Sequence, residues 1–223
     1  RARLRSRGLG DVYKRQMSGI KPIYYASHVY PRGTATTTNV NISANVELYL
    51  DYNCPYSAKL FKKFQDEVFP KVDNVSFTFI HVVQPWHGVQ SSVLHEIGIA
   101  LSKVVPEKFW EYSRLVFDLI EHWYDTEIID MTRGDIIESV LKEVAPLVTE
   151  TQLKQIRGLV SIRRSTIPDN TGNGVTGDVK YFTRYHRTRG VHMTPTVFID
   201  GVISSNIESS TPTLEIVNLL SKL

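Results

Sequence analysis

VELYLDYNCPYSAKLFKKFQDEVFP, residues 46–70, decides the fold. Its first five residues form a short β-prone run that stops at Asp51. Pro55 then opens a helical pattern with Leu60, Phe61, Phe64 and Val68 on one face. Proline suits a first helical turn, because the N–H it lacks would have had no intrahelical partner there. After Pro70 the run VSFTFIHVV, residues 75–83, reads as a second strand. Strand, helix and strand over residues 46–83 imply a right-handed parallel βαβ unit.

Outward from that unit the pattern changes character. Apolar residues recur at helical spacing in four blocks, 92–104, 106–123, 132–144 and 149–161. Thr132 with Asp135, and Thr149 with Gln152, stand at capping-box spacing. Residues 167–177 read as a Gly/Asn/Thr/Pro loop, and a further helix over 175–189 stops at Gly190, which suits a left-handed C-cap. TVFID (196–200), Gly201 and 202–204 read as a hairpin, and Thr211-Pro212 as the N-cap and first-turn proline of a last helix. Phe109, Tyr112 and Trp123 are expected in a helical core, Trp86 in packing, and His122 and His186 on helix surfaces. Residues 17–45, rich in Thr, Asn, Ser and Gly, read as an N-terminal extension with edge strands at 23–25 and 40–42.

The chain carries 26 Lys+Arg against 23 Asp+Glu, a net of +3. Residues 1–16, RARLRSRGLGDVYKRQ, hold six basic residues and one acidic, so the other 207 residues sum to −2. Those 207 residues offer no basic body to attract nucleic acid or anionic lipid. The first sixteen residues resemble a translated sequencing-adaptor stretch, and the natural start is expected at Met17. A single cysteine excludes an internal disulfide, a CxxC zinc site and a dithiol redox pair. His95-Glu96 lacks the second histidine of HExxH, so no metal site is expected. No apolar run approaches the roughly 18 residues of a membrane span. The final Ser221-Lys222-Leu223 matches the peroxisomal C-terminal address, with the cytoplasm as the alternative location.

Two motifs carry the chemistry. Cys54-Pro55-Tyr56-Ser57 follows the first strand, and Met193-Thr194-Pro195-Thr196 precedes the hairpin. Ligands of open parallel sheets sit beyond the C-terminal strand ends. Topology therefore brings Cys54, the loop Gln84-Pro85-Trp86-His87 and Pro195 to one edge. Both motifs in this order, with VHMTPTVFIDG at 191–201, resemble the DsbA-like branch of the thioredoxin-fold superfamily. The resemblance implies an α/β thioredoxin-like fold with an inserted all-helical domain, and a cis-proline at Pro195. It divides the chain into a thioredoxin-like domain (46–89 and 190–223) and a helical insertion (90–189). The kappa-class glutathione transferases share this fold and insertion, with a serine where Cys54 stands here.

At a helix start, peptide N–H groups and the macrodipole favour negative charge on sulfur. Cys54 is the expected nucleophile, and Ser57, one turn on, is expected to donate its hydroxyl to the sulfur. Asp51 would oppose a thiolate if it lay close. Pro55, Tyr56, Thr194, Pro195, Trp86 and His87 are the expected substrate-binding residues. DsbA-like oxidases use two cysteines; Ser57 occupies the second position here, and a hydroxyl cannot resolve a mixed disulfide. The resemblance then implies monothiol exchange with glutathione as co-substrate, because CPYS resembles the motif of monothiol-converted glutaredoxins. The partner would be glutathione or a thiol- or disulfide-bearing peptide. The alternative is a redox-inactive module that holds an extended peptide by β-addition, with Cys54 a buried small hydrophobe.

Overall fold

The computed structural model describes residues 19–31 and 42–223. Residues 1–16, Met17 and most of the 40–42 run lie outside the described residues. A four-stranded sheet has the order β2-β1-β3-β4, with β1 Ala44–Leu50, β2 Val75–His81, β3 Thr196–Ile199 and β4 Val202–Ile203. β1 runs parallel to β2 (Val46 opposite Phe77) and antiparallel to β3 (Leu48 opposite Val197). Val46, Leu48, Tyr49 and Leu50 are all buried, because helices cover both faces of this central strand. Glu47, in the same strand, is satisfied internally by the hydroxyls of Tyr49 (2.9 Å) and Tyr185 (2.5 Å). The β3–β4 turn is Asp200-Gly201, both at positive φ (49° and 80°), which is the two-residue hairpin chemistry its sequence announces.

The helices are α1 Tyr25–His28, α2 Pro55–Lys63, α3 Gly88–Val104, α4 Phe109–Asp118, α5 Arg133–Val144, α6 Glu150–Val160, α7 Thr176–Thr188 and α8 Thr213–Leu220. Five of them, α3 to α7, lie between β2 and β3, which is the helical insertion of a thioredoxin-like α/β fold. α3 is its axis: Val93, Leu94, Ile97, Ile99, Ala100 and Leu101 are buried, and the helix packs on α4, α5, α6 and α7. Both capping boxes form as their spacing predicts. Gly190 follows α7 at φ 70°.

Four expectations change. Residues 23–25 are not an edge strand but a 3-10 turn (Pro22–Tyr24) running into α1. Tertiary contact overrides local β preference there: the Tyr24 ring packs on Tyr181 and Phe182, and its hydroxyl donates to Asp178 (2.6 Å). The segment still touches the sheet, through a single bridge from Val29 to Thr78 and a bond from Tyr30 N–H to the Phe77 carbonyl (2.8 Å). The 106–123 block is interrupted, with 3-10 turns at Pro106–Lys108 and Ile120–Trp123 around α4; the second keeps Ile120 and Trp123 buried. α8 starts at Thr213 with Pro212 as its N-cap residue, rather than with Thr211 as cap and Pro212 in the first turn; the Thr211 hydroxyl instead accepts from Glu208 N–H (2.9 Å) and closes the preceding turn. His186 is buried rather than on the surface, one turn from Phe182 on the inner face of α7, with its Nδ1 against the Val191 carbonyl (3.3 Å). No helix among the described residues is long and apolar enough to cross a membrane.

Candidate functional site

Cys54 is the N-cap residue of α2, in extended conformation (φ −93°, ψ 117°), and Pro55 is the first helical residue. Its sulfhydryl donates to the carbonyl of Thr194, 140 positions later, at 3.4 Å. The peptide bond between Thr194 and Pro195 is cis. The third expected segment also arrives. Gln84 donates through Nε2 to the His192 carbonyl (2.9 Å), and Asn53 through Nδ2 to the His87 carbonyl (3.4 Å). Cys54, the 84–87 loop and the 192–196 segment therefore meet at one edge of the sheet.

The thiol itself is only 3% exposed. The segments around it carry large apolar side chains that face solvent: Tyr56 (63%), Trp86 (58%), Val89 and Met193 (65%). Trp86 is thus not the packing residue expected, because its 3-10 turn, Pro85–His87, stands outside the core. Ser57 is fully buried, and its hydroxyl accepts from the backbone N–H of Asp51 (3.3 Å). That bond ties the helix start to the end of β1. The insertion reaches the site through Tyr124, whose phenol is pushed up by burial first, then by the charges of Glu121 and Cys54.

Behind the thiol, Asp51 organises the site. Its carboxylate is fully buried and accepts from Asn53 N–H (2.9 Å) and Ser91 Oγ (2.8 Å) on one oxygen, and from Gln84 N–H (2.7 Å) and His87 Nδ1 (2.9 Å) on the other. His95 Nε2 lies 3.5 Å from Oδ1. Burial alone would raise this carboxyl; His87, His95 and the Asn53 N–H together outweigh it and hold it well below the usual carboxylate range. Because an ionised carboxylate only accepts, the Nδ1 of His87 carries the hydrogen of this bond. The buried carboxamide oxygen of Asn53, the residue before Cys54, has no hydrogen-bond partner among the described residues. Asn53, Ser91, His95 and Tyr124 were not among the expected site residues, and Asp51 was expected only to oppose the thiolate. A lone carboxylate closing an apolar central strand, three residues before the cysteine, was the one available signal.

No protein-family model matches the chain, and no curated protein matches it. Solved structures do. The thiol-disulfide oxidoreductase MdbA of Actinomyces oris aligns over 89% of this chain and 88% of its own, with a TM-score of 0.61 and 17% identity. MdbA of Corynebacterium diphtheriae, also a thiol-disulfide oxidoreductase, aligns over 81% and 85% (TM-score 0.56, 16% identity). A Pseudomonas syringae protein provisionally assigned as a protein-disulfide isomerase aligns over 81% and 94% (0.58, 22%). The chain has the DsbA-like thioredoxin fold. At these identities the likeness is one of fold.

Proposed function

We propose that this chain is a monothiol thiol-disulfide oxidoreductase with Cys54 as nucleophile and glutathione as co-substrate. The contact between the Cys54 sulfur and the Thr194 carbonyl carries this reading, because it puts a helix-start thiol beside a backbone segment able to align a disulfide. The Cys54 thiolate attacks the glutathione sulfur of a mixed disulfide and releases the substrate thiolate, which takes a proton. A second glutathione thiolate then attacks that same glutathione sulfur, giving oxidised glutathione and regenerating Cys54. Ser57 takes no part in exchange; it positions the helix start through Asp51. Tyr56, Trp86 and Met193 provide apolar contact for the substrate. The fold's solved relatives named as thiol-disulfide oxidoreductases support the class of reaction.

Glutathione-dependent reduction of a small glutathione mixed disulfide tests the reading. Cys54→Ser should abolish turnover and leave the melting temperature unchanged within error. Turnover that survives the substitution, or its absence in the parent, overturns the proposal. The near-complete burial of Cys54 favours a second reading, a redox-inactive module that holds an extended peptide at Thr194 and Pro195. Peptide binding without turnover would establish it. We also propose peroxisomal localisation, supported by the exposure of Ser221, Lys222 and Leu223 beyond α8. Deleting Leu223 should disperse an N-terminal fluorescent fusion, and a punctate signal after deletion would refute it.

A further inference from the structure

Between α6 and α7 the chain leaves the packed body. Every residue from Ser161 to Gly172 is exposed, and none lies in a helix or strand. The stem of this loop is fixed. Gly174 N–H donates to the Leu159 carbonyl (2.8 Å), and Asn173 Nδ2 donates to the Val160 carbonyl (3.2 Å) and to Glu96 of α3 (2.8 Å). The two arms touch backbone to backbone: a Cβ built on Gly174 would stand 3.0 Å from the Leu159 carbonyl oxygen. Beyond the stem the hydrogen bonds are local. Ser165 Oγ accepts from Ile167 N–H (3.2 Å), and Asp169 accepts from the N–H (3.1 Å) and hydroxyl (2.8 Å) of Thr171. None of them reaches Cys54, the 84–87 loop or the 192–196 segment.

The middle of the loop reads Arg163-Arg164-Ser165-Thr166-Ile167-Pro168. Thr166 has guanidinium groups three and two positions before it and a large apolar side chain directly after it. No other serine or threonine among the described residues has arginine at both of those positions. Arg163 and Arg164 form no ion pair, and the Thr166 hydroxyl no hydrogen bond, among the described residues. Ile167 is 74% exposed, so its side chain is not committed to the core. Pro168 biases the backbone of Ile167 toward extended conformation.

We propose that Thr166 is a phosphorylation site for an arginine-directed serine/threonine protein kinase. Carboxylates bind guanidinium groups bidentately, and the pattern of charge around the acceptor is what sets kinase specificity. Arg163 and Arg164 supply the cations on one side of the acceptor, and Ile167 an apolar anchor on the other. The loop can enter a cleft as an extended segment at the loss of one local bond, from Ile167 N–H to Ser165. The Thr166 oxygen attacks the γ-phosphorus of ATP. A new O–P bond forms as the bond from that phosphorus to the β–γ bridging oxygen breaks; ADP leaves, and the hydroxyl proton passes to the kinase's catalytic aspartate. Residues 161–172 hold Arg163, Arg164 and Asp169, a net charge of +1. The phosphate adds about −1.5 to −2, so modification turns this loop from cationic to anionic. The stem bonds are untouched, and α6 and α7 keep their packing on α3. The site is independent of any reaction at Cys54.

Incubation of the purified full chain with ATP and the cyclic-AMP-dependent kinase, as the arginine-directed probe, tests the proposal. Mass spectrometry of the digested product should find the phosphate on Thr166. Thr183 also has a cation three positions before it, Lys180, but lies within α7 and should stay unmodified. Phosphate on Thr183 in place of Thr166 overturns the proposal, as does incorporation that Thr166→Ala leaves undiminished. Arg163→Ala should lower kcat/KM about ten-fold, the scale of one charge-assisted hydrogen bond; an unchanged value refutes recognition through the arginines. Both substitutions are at exposed positions and should melt with the parent. A synthetic peptide of residues 160–171 isolates the part played by the fold. The full chain should be modified no more than about ten-fold more slowly than the peptide, because exposed loops open at little free-energy cost. A larger deficit would show that the fold withholds Thr166 and would overturn the assignment.

Discussion

The two sides of Cys54 are built on opposite principles. In front, Tyr56, Trp86 and Met193 are largely exposed, and the sulfur makes one hydrogen bond, to a carbonyl. Behind, Asp51 is fully buried and accepts four hydrogen bonds from four different residues. Buried polar groups are costly unless fully paired, so the rear can hold only one arrangement. The front, largely exposed, has no such constraint. Under the proposed reading, the rear supplies position and the front recognition.

Removing the charge from the rear should have the largest effect. Asp51→Asn leaves donors aimed at a group that itself donates, and should cost about 3 kcal/mol in urea unfolding, the scale for breaking a buried ionic cluster. A cost like that of a surface substitution would erase the contrast. Acid comes next. His28 is held to about 3 in the fold against 6.5 when free. Between those values the unfolded chain binds a proton that the native chain does not, so stability falls as pH falls through this window. The slope should be about 1.4 kcal/mol per pH unit for this residue, and His28→Phe should flatten it by that amount.

Ser57→Cys sharpens the boundary between the sides. It places a second sulfur one turn from Cys54, and should yield an intramolecular disulfide with dithiol activity that the parent lacks. The reduced variant should lose about 1 kcal/mol, because Asp51 N–H loses its hydroxyl acceptor. A variant that stays reduced under oxidising conditions would show the two positions are not in register. Trp86→Ala, on the front, should change stability by less than about 0.5 kcal/mol while raising KM for an apolar peptide disulfide several-fold. A stability loss like that of Asp51→Asn would make the front structural.

The frame of this fold is local and therefore readable. The run through residues 46–81, the two capping boxes and Asp200-Gly201 each declare their structure within a few residues. The meeting of Cys54 with Thr194 followed from topology, because strand ends of one sheet share an edge. The buried contact between His28 Nε2 and His81 Nε2 (2.9 Å) has no such local signature. His28 and His81 are 53 positions apart, and each carries only the preference of the element that holds it. His186 was readable in part, since it stands four residues after Phe182 on the same helical face. Asp51 reads as a strand terminator until Ser91 and His87 are seen to converge on it.

The sheet's two margins have a further consequence. On one side, Val29 and Tyr30 lie against β2; on the other, β4 is only two residues long. Short or covered margins deny a stranger's strand the run of unpaired N–H and C=O groups it needs to dock. Val202 and Ile203 can therefore remain exposed at that border without offering a long run of unpaired backbone groups to a second copy.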